Sequence, residues 1–293
     1  MCLMVCCVQG GFAQKLKPGL PGMSPSKWIT LRHSQAPGRI YHYSGYGPKS
    51  YTQEDLFLKA WIPVVNGKKL TLMLGPQYRM EQLEMQSDGE NPLHQLANWN
   101  LRSFGVDIRS CLKVDSLAWI VTNLNISQSG NLRSGSHTNV PVNYTISALY
   151  LKRNSVREEI GYGLMVNRSF NSITVLPVFM YNYNYSSRGG IEISLPYKIA
   201  WRNNLSPTDL LYVKAEAMTR AYWINGGAEA YAFRRTELDM GVAYNKQFSR
   251  LIGAEIFAGY RRNINTRLPH EVTAVRSSGF IFNVELYFKS PFK

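Results

Sequence analysis

The sequence lacks any apolar run near the roughly 18 residues that a membrane-spanning helix requires, although 45% of its 293 residues are hydrophobic. Its apolar residues are instead spread over short segments, which excludes a bundle of spanning helices. Cysteine is scarce, with only Cys2, Cys6, Cys7 and Cys111 present. Three of these sit in the apolar stretch at residues 1–8, so removal of that stretch would leave Cys111 alone and no internal disulfide. Small secreted modules commonly depend on disulfides, and a large domain does not. Acidic charge is low as well. Nineteen Asp and Glu stand against 33 Lys and Arg, for a net charge of +14. A basic excess favours anionic neighbours, here lipopolysaccharide or anionic solutes. The basic residues are dispersed, with no basic stripe interleaved with stacking aromatics, which argues against nucleic acid.

Ligand motifs are also missing. No two of His33, His42, His94, His137 and His270 stand at metal-ligand spacing, and Cys111 has no cysteine partner, so no metal site is expected. Gly161-Tyr162-Gly163 lies inside a strand pattern and opens no helix, so it is no phosphate loop. No cofactor is expected.

Alternation is what the sequence does contain. Phe280, Phe282, Val284, Leu286 and Phe288 fall on one face of a strand, with Asn283, Glu285, Tyr287 and Lys289 on the other. The pattern recurs at 191–202, 211–220, 235–244 and 252–261. It returns less cleanly at 103–111, 142–150 and 160–167. Turns punctuate the runs at Asn66-Gly67, which suits a type I′ hairpin, at Val114-Asp115-Ser116 and at Arg153-Asn154-Ser155. Asn203-Asn204 and Asn225-Gly226-Gly227 are further candidates. Longer polar connections are expected near 35–51, 81–94, 130–141 and 263–276.

Length separates the architectures. Strands crossing a bilayer need about 9–11 residues, while soluble strands average about 5–6. The runs at 191–202, 251–262 and 279–289 belong to the longer class. Aromatics near strand ends, Trp28, Trp61, Tyr150, Trp201, Tyr244 and Tyr260, suit interfacial girdles. The expected fold class is therefore all-β, a single transmembrane antiparallel up-and-down β-barrel of about 12 strands. The direct count is 13. Parity demands an even number, so one strand between 130 and 190 is miscounted, and 14 is allowed. A secreted β-sandwich binding protein is the competing architecture.

Residues 1–13 read as a signal peptide, apolar and ending Gly11-Phe12-Ala13 before Gln14. The absent basic n-region points to a start further upstream. Residues 14–293 read as one outer-membrane barrel domain, which places the protein in the bacterial outer membrane.

These features resemble a family. Gly11-Phe12-Ala13-Gln14, the strand Gly190-Ile191-Glu192-Ile193-Ser194-Leu195-Pro196, the following Asn204-Leu205-Ser206-Pro207 and the aromatic last strand look like the DUF6268-type outer-membrane barrels of Bacteroidetes. Phe292 followed by Lys293 departs from the terminal aromatic common in such barrels. The resemblance implies fold and location, and brings no activity and no functional residues.

In a barrel the polar faces line the lumen. Glu192, Lys198, Arg202, Lys214, Glu216, Arg220, Arg235, Glu237, Asp239, Glu255, Arg261, Glu285 and Lys289 are the lumen-facing charged candidates. They would either form the walls of a charge-selective pore or pair with one another and fill the lumen. The interleaved signs favour pairing, because a buried charge without a partner costs several kcal/mol. Some outer-membrane barrels are hydrolases, but no serine here can be matched to a histidine and an acid, so no catalytic residues are assigned. The expected function is a passive pore, a small-solute transporter or a structural envelope component. Outer-membrane lipid, lipopolysaccharide, the outer-membrane assembly machinery and small solutes are its expected partners. A membrane-embedded lipid-modifying hydrolase is the alternative.

Overall fold

The computed structural model describes residues 27–43, 46–85, 101–131, 140–170, 172–225, 230–267 and 276–289. The signal segment at 1–13, Phe292 and Lys293 lie outside them. Fifteen strands are present: β1 (Lys27–Tyr43), β2 (Tyr46–Ala60), β3 (Ile62–Asn66), β4 (Leu70–Met85), β5 (Leu101–Lys113), β6 (Ala118–Gly130), β7 (Val142–Arg153), β8 (Glu158–Ser169), β9 (Ser172–Tyr183), β10 (Gly189–Leu195), β11 (Lys198–Asn204), β12 (Asp209–Asn225), β13 (Ala230–Gln247), β14 (Ile252–Arg267) and β15 (Arg276–Lys289). Both β2 and β3 pair with β4, and they form one stave interrupted at Trp61. Every neighbour in the sheet is antiparallel up to β15, and β15 pairs with β1. The result is a closed barrel of 14 staves.

Closure satisfies most of the backbone of an up-and-down sheet, as a membrane wall requires, and leaves one edge unpaired in the upper parts of β9 and β12, where β10 and β11 stop short. The period-two faces then sort by solvent. Leu164 (60% exposed), Ile173 (69%) and Phe280 (66%) point outward, as do Ile146, Val242 and Ile256. A soluble protein rarely exposes apolar surface as one continuous belt. This belt is the lipid-facing band of an outer-membrane barrel, and it overturns the sandwich alternative. Lys27 and Lys289, where β1 begins and β15 ends, and the short connections at 66–70, 113–118, 153–158, 204–209 and 247–252 share one rim. The long connections at 85–101, 130–142 and 267–276 share the other.

Several sequence expectations are corrected. The run at 191–202 is a hairpin, β10 and β11, of two seven-residue strands. Ser194 pairs with Lys198 across the turn. Positions 194 and 198 have the same parity, so the alternation passes through the turn unbroken and reads as one strand. With that run split and β2 and β3 joined in one stave, the wall has 14 staves, the even number allowed from sequence, and β9 at 172–183 lies in the stretch where the miscount was expected. The expected loop at 35–51 is largely strand, in β1 and β2, and of the one expected at 81–94 residues 81–85 belong to β4 while 86–94 lie outside the described residues. Asn66-Gly67 turns where expected, but among the described residues only Phe170 and Gly38 have positive φ, so the turn is not type I′. Trp61 does not join a girdle. It is buried inside the barrel with its ring against Gly75.

Candidate functional site

The inward faces build two unlike half-walls. Six staves, β12, β13, β14, β1, β2 and β4, carry a buried ion-pair cluster in the half nearer the long connections. Glu81 and Glu237 have fully buried side chains, and both lie at its centre. Arg220 donates to Glu81 Oε2 (3.1 Å) and to Asp55 Oδ2 (2.9 Å). Tyr222 donates its hydroxyl to Glu81 Oε2 (2.8 Å), and Arg235 pairs with Glu81 Oε1. Arg39 donates to Glu237 Oε1 (2.6 Å). Arg261 grips Asp239 with two bonds, Nε to Oδ1 (2.6 Å) and Nη2 to Oδ2 (2.7 Å). Arg79 reaches Asp55 (3.1 Å). Five arginines thus face four carboxylates. Ion pairs taken from water are tolerated only where each charge finds a partner and its remaining polar groups find hydrogen bonds.

A second set lies nearer the short-turn rim. Lys27 pairs with Glu255 (3.2 Å) and with Glu285, and Lys214 with Glu255 (2.8 Å) and Glu216 (3.3 Å). Glu192 accepts from Lys198 (3.0 Å) and Arg202 (3.2 Å). Twelve of the 13 sequence candidates divide between the two sets, and Lys289 stands apart. Arg220, Arg235, Glu237, Asp239 and Arg261 enter the buried cluster, and Glu192, Lys198, Arg202, Lys214, Glu216, Glu255 and Glu285 enter the second set. Lys289, near the short-turn rim, donates to Gln247 (2.6 Å).

Sequence reasoning missed Arg39, Gln53, Asp55, Arg79 and Glu81. Arg39 and Glu81 fall in stretches expected to be loops. In β1 the register slips between Gln35 and Ile40, and Gly38 has φ +58°, so period two is broken just before Arg39. In β2, Gln53-Glu54-Asp55 are polar on both faces, which hides the alternation.

The other half-wall, β5 to β9, holds two separate ion pairs, Lys59 of β2 with Asp107 and Arg153 with Glu159 (3.0 Å), and is otherwise lined by neutral side chains. Asn125, Ser127, Ser129, Asn143, Thr145, Asn167 and Thr174 line a cavity of about 620 Å³, which Arg32, Arg79 and Arg220 border on the cluster side. Towards the short-turn rim, Cys111, Trp119, Leu149 and Leu151 pack with Val121, Val178 and Met180 into an apolar plug inside the barrel. Cys111 is therefore a buried packing residue.

No serine–histidine pair forms among the described side chains. His33 points outward on β1, whereas Ser34 and Ser103 point into the lumen. The side chains of the other four histidines lie outside the described set. No group of three potential metal ligands occurs among the described residues.

Residues 124–270 match the sequence model of the family described as "Domain of unknown function (DUF6268)". No curated protein sequence matches. Among solved structures, the chain is similar to the COG4313 outer membrane channel of Pseudomonas putida F1, at 12% identity and a TM-score of 0.48, covering 92% of this chain and 98% of that one. It is also similar to a Pseudomonas aeruginosa FadL homologue, at 8% identity and a TM-score of 0.47, covering 89% of each chain. The toluene transporter TodX of P. putida follows at 7% identity and a TM-score of 0.42, covering 94% and 92%.

Proposed function

The chain belongs to the DUF6268 family, and from that premise we propose that it is a narrow, solute-selective outer-membrane channel rather than a wide porin or an enzyme. One observation carries the reading. One side of the lumen is filled by the paired charges around Glu81 and Glu237, and the other holds a cavity of about 620 Å³ lined by hydroxyl and amide groups, with Arg32, Arg79, Lys198, Glu216, Arg220 and Arg234 at its borders. A volume between roughly 300 and 1,000 Å³ suits one small molecule, and convergent polar side chains give it a defined orientation. The apolar plug of Trp119 and Leu151 is a hydrophobic constriction, which restricts water and ions by dewetting.

The test is a planar-bilayer recording beside a liposome-swelling assay with uncharged solutes of graded size. The expected outcome is small, discrete conductance steps and a low size cut-off. Large ohmic steps would mark a wide pore. No conductance and no flux at all would leave a structural envelope component.

A further inference from the structure

The wall of this barrel has a gap. On β9, pairing with β10 runs only from Phe179 to Tyr183. On β12, pairing with β11 ends at Glu216, and Ala217 adds one bond to the Tyr197 carbonyl (2.8 Å). Above these, residues 172–178 of β9 and 218–222 of β12 face each other with no strand between them. The turn at Pro196-Tyr197 forms the lower border, because β10 and β11 stop short. Above, β12 is clipped to the end of β6. Trp223 pairs with Gly130, and Asn131 donates its backbone N–H to the Trp223 carbonyl (3.2 Å). Asn131 Nδ2 donates to the Asn225 carbonyl (3.0 Å), and its Oδ1 accepts from Asn225 N–H (3.1 Å). Phe170 stacks at a tilt on Trp223, with ring centroids 5.4 Å apart. At about 3.3 Å per residue the free edges are roughly 16–23 Å long.

The gap is continuous with the lumen. Thr219, Ala221 and Thr236 belong to the outward faces of β12 and β13, yet they line the same cavity as the inward Asn125, Asn143 and Asn167. Unpaired strand edges at membrane depth are tolerated only where they are covered by protein or line a watered cavity. The rim is graded in polarity. Ile173 and Val175 on β9 face lipid beside it, Leu176 and Met165 face inward, and Thr219 and Thr236 lie across from them. Arg32, Arg79, Arg220, Lys198 and Arg234 line the cavity with one carboxylate, Glu216, while Asp55 and Glu81, the partners of Arg220, are not part of its lining. Arg32 Nε is buried and has no hydrogen-bond partner among the described residues.

We infer that the gap between β9 and β12 is a lateral portal through which a single-chain amphiphile with an anionic head passes between the lumen cavity and the outer leaflet. The arginines receive the head, Leu176 and Met165 receive the first part of the chain, and the remainder stays in lipid until release. The cavity volume admits one such molecule and is far too small for a multi-chain lipid. The long-loop rim faces outward in barrels of this type, which sets the portal on the outer-leaflet side. The inference rests on the channel reading for its solute cavity, and the experiment separates the two.

A bimane fluorophore is attached to Leu176→Cys in a background where the native cysteines are serine, with Val175→Cys as the lipid-facing control and Asn125→Cys as the enclosed control. The protein is reconstituted with phosphatidylcholine carrying a nitroxide high on its acyl chain. Quenching at Leu176→Cys close to that at Val175→Cys, with little at Asn125→Cys, is expected. Protection of Leu176→Cys at the level of Asn125→Cys overturns the portal. In the unlabelled protein, dansylaminoundecanoate is then titrated, with its neutral amide as comparison. Binding of the carboxylate that weakens roughly tenfold in Arg32→Gln, the order of one hydrogen bond to a charged group, is expected. Equal binding of the amide, or no effect of Arg32→Gln, overturns the anionic ligand. Solute flux without quenching at Leu176→Cys sinks the portal and keeps the channel. Quenching without solute flux does the reverse.

Discussion

Glu81 bears more of the lumen's organisation than any other side chain. It is fully buried and accepts from Arg220, Tyr222 and Gln53 while pairing with Arg235. Its replacement by alanine leaves buried guanidinium groups without their counter-charge, a loss of about 3–5 kcal/mol. The urea midpoint of unfolding in micelles should therefore fall sharply for Glu81→Ala. Glu54→Gln, on the exposed side of the next stave where the residue meets only Gln35, should leave the midpoint unchanged. Raising salt should not close the difference, because buried pairs are screened far less than surface ones. A midpoint unmoved by Glu81→Ala would mean that the cluster contributes nothing to the fold. Gly241 belongs at the same scale. It pairs with Gly259, and a Cβ at Gly241 would fall on the Ala258 carbonyl. Gly241→Val should lower the yield of folded barrel, read as loss of the heat-modifiable band on a gel.

Between strands, legibility in the sequence depended on whether anything broke the period of two. The faces of β12 to β15 could be read because each runs 14–18 residues with clean alternation. β10 and β11 show the opposite failure. A turn that preserves parity leaves no trace in the pattern, so the shortest staves in the wall looked like one long strand. The portal was invisible for the same reason. It exists only because those two strands stop early and β12 continues. The clip at the top of the gap is equally silent in sequence, since Asn131 resembles any polar residue at a strand end. Its three bonds to Trp223 and Asn225 tie β12 to a stave that is not its neighbour. Asn131→Ala should loosen the β12–β13 hairpin with little change in global stability. Hydrogen exchange at residues 218–225 should rise, while exchange at 210–216, paired with β11, should not. Uniform acceleration along β12 would show that the clip supports the whole stave.

Across the whole molecule, the barrel is a ring of 14 staves, interrupted between the upper parts of β9 and β12, around an asymmetric interior. A symmetric ring of charges would give a water-filled pore. Here the densest charge cluster is gathered on one side and its members neutralise one another, while the opposite side has only two isolated pairs, a cavity, and an apolar cluster towards the short-turn rim. The plug is thereby the element on which axial passage turns. Trp119 is 4% exposed and Leu151 1%, so each fills space that nothing else occupies. Truncating either removes packing worth about 3–5 kcal/mol for Trp and 2–5 kcal/mol for Leu, which a barrel closed by its own hydrogen bonds can absorb and a small constriction cannot. Trp119→Ala and Leu151→Ala should therefore raise the unit conductance in planar bilayers and lift the size cut-off for uncharged solutes, with the double variant exceeding either single one. Heat-modifiable migration confirms that each variant still closes. If conductance stays at the wild-type level in folded double variant, the axial path does not run through the plug. The cavity would then exchange with its surroundings only through the side of the wall.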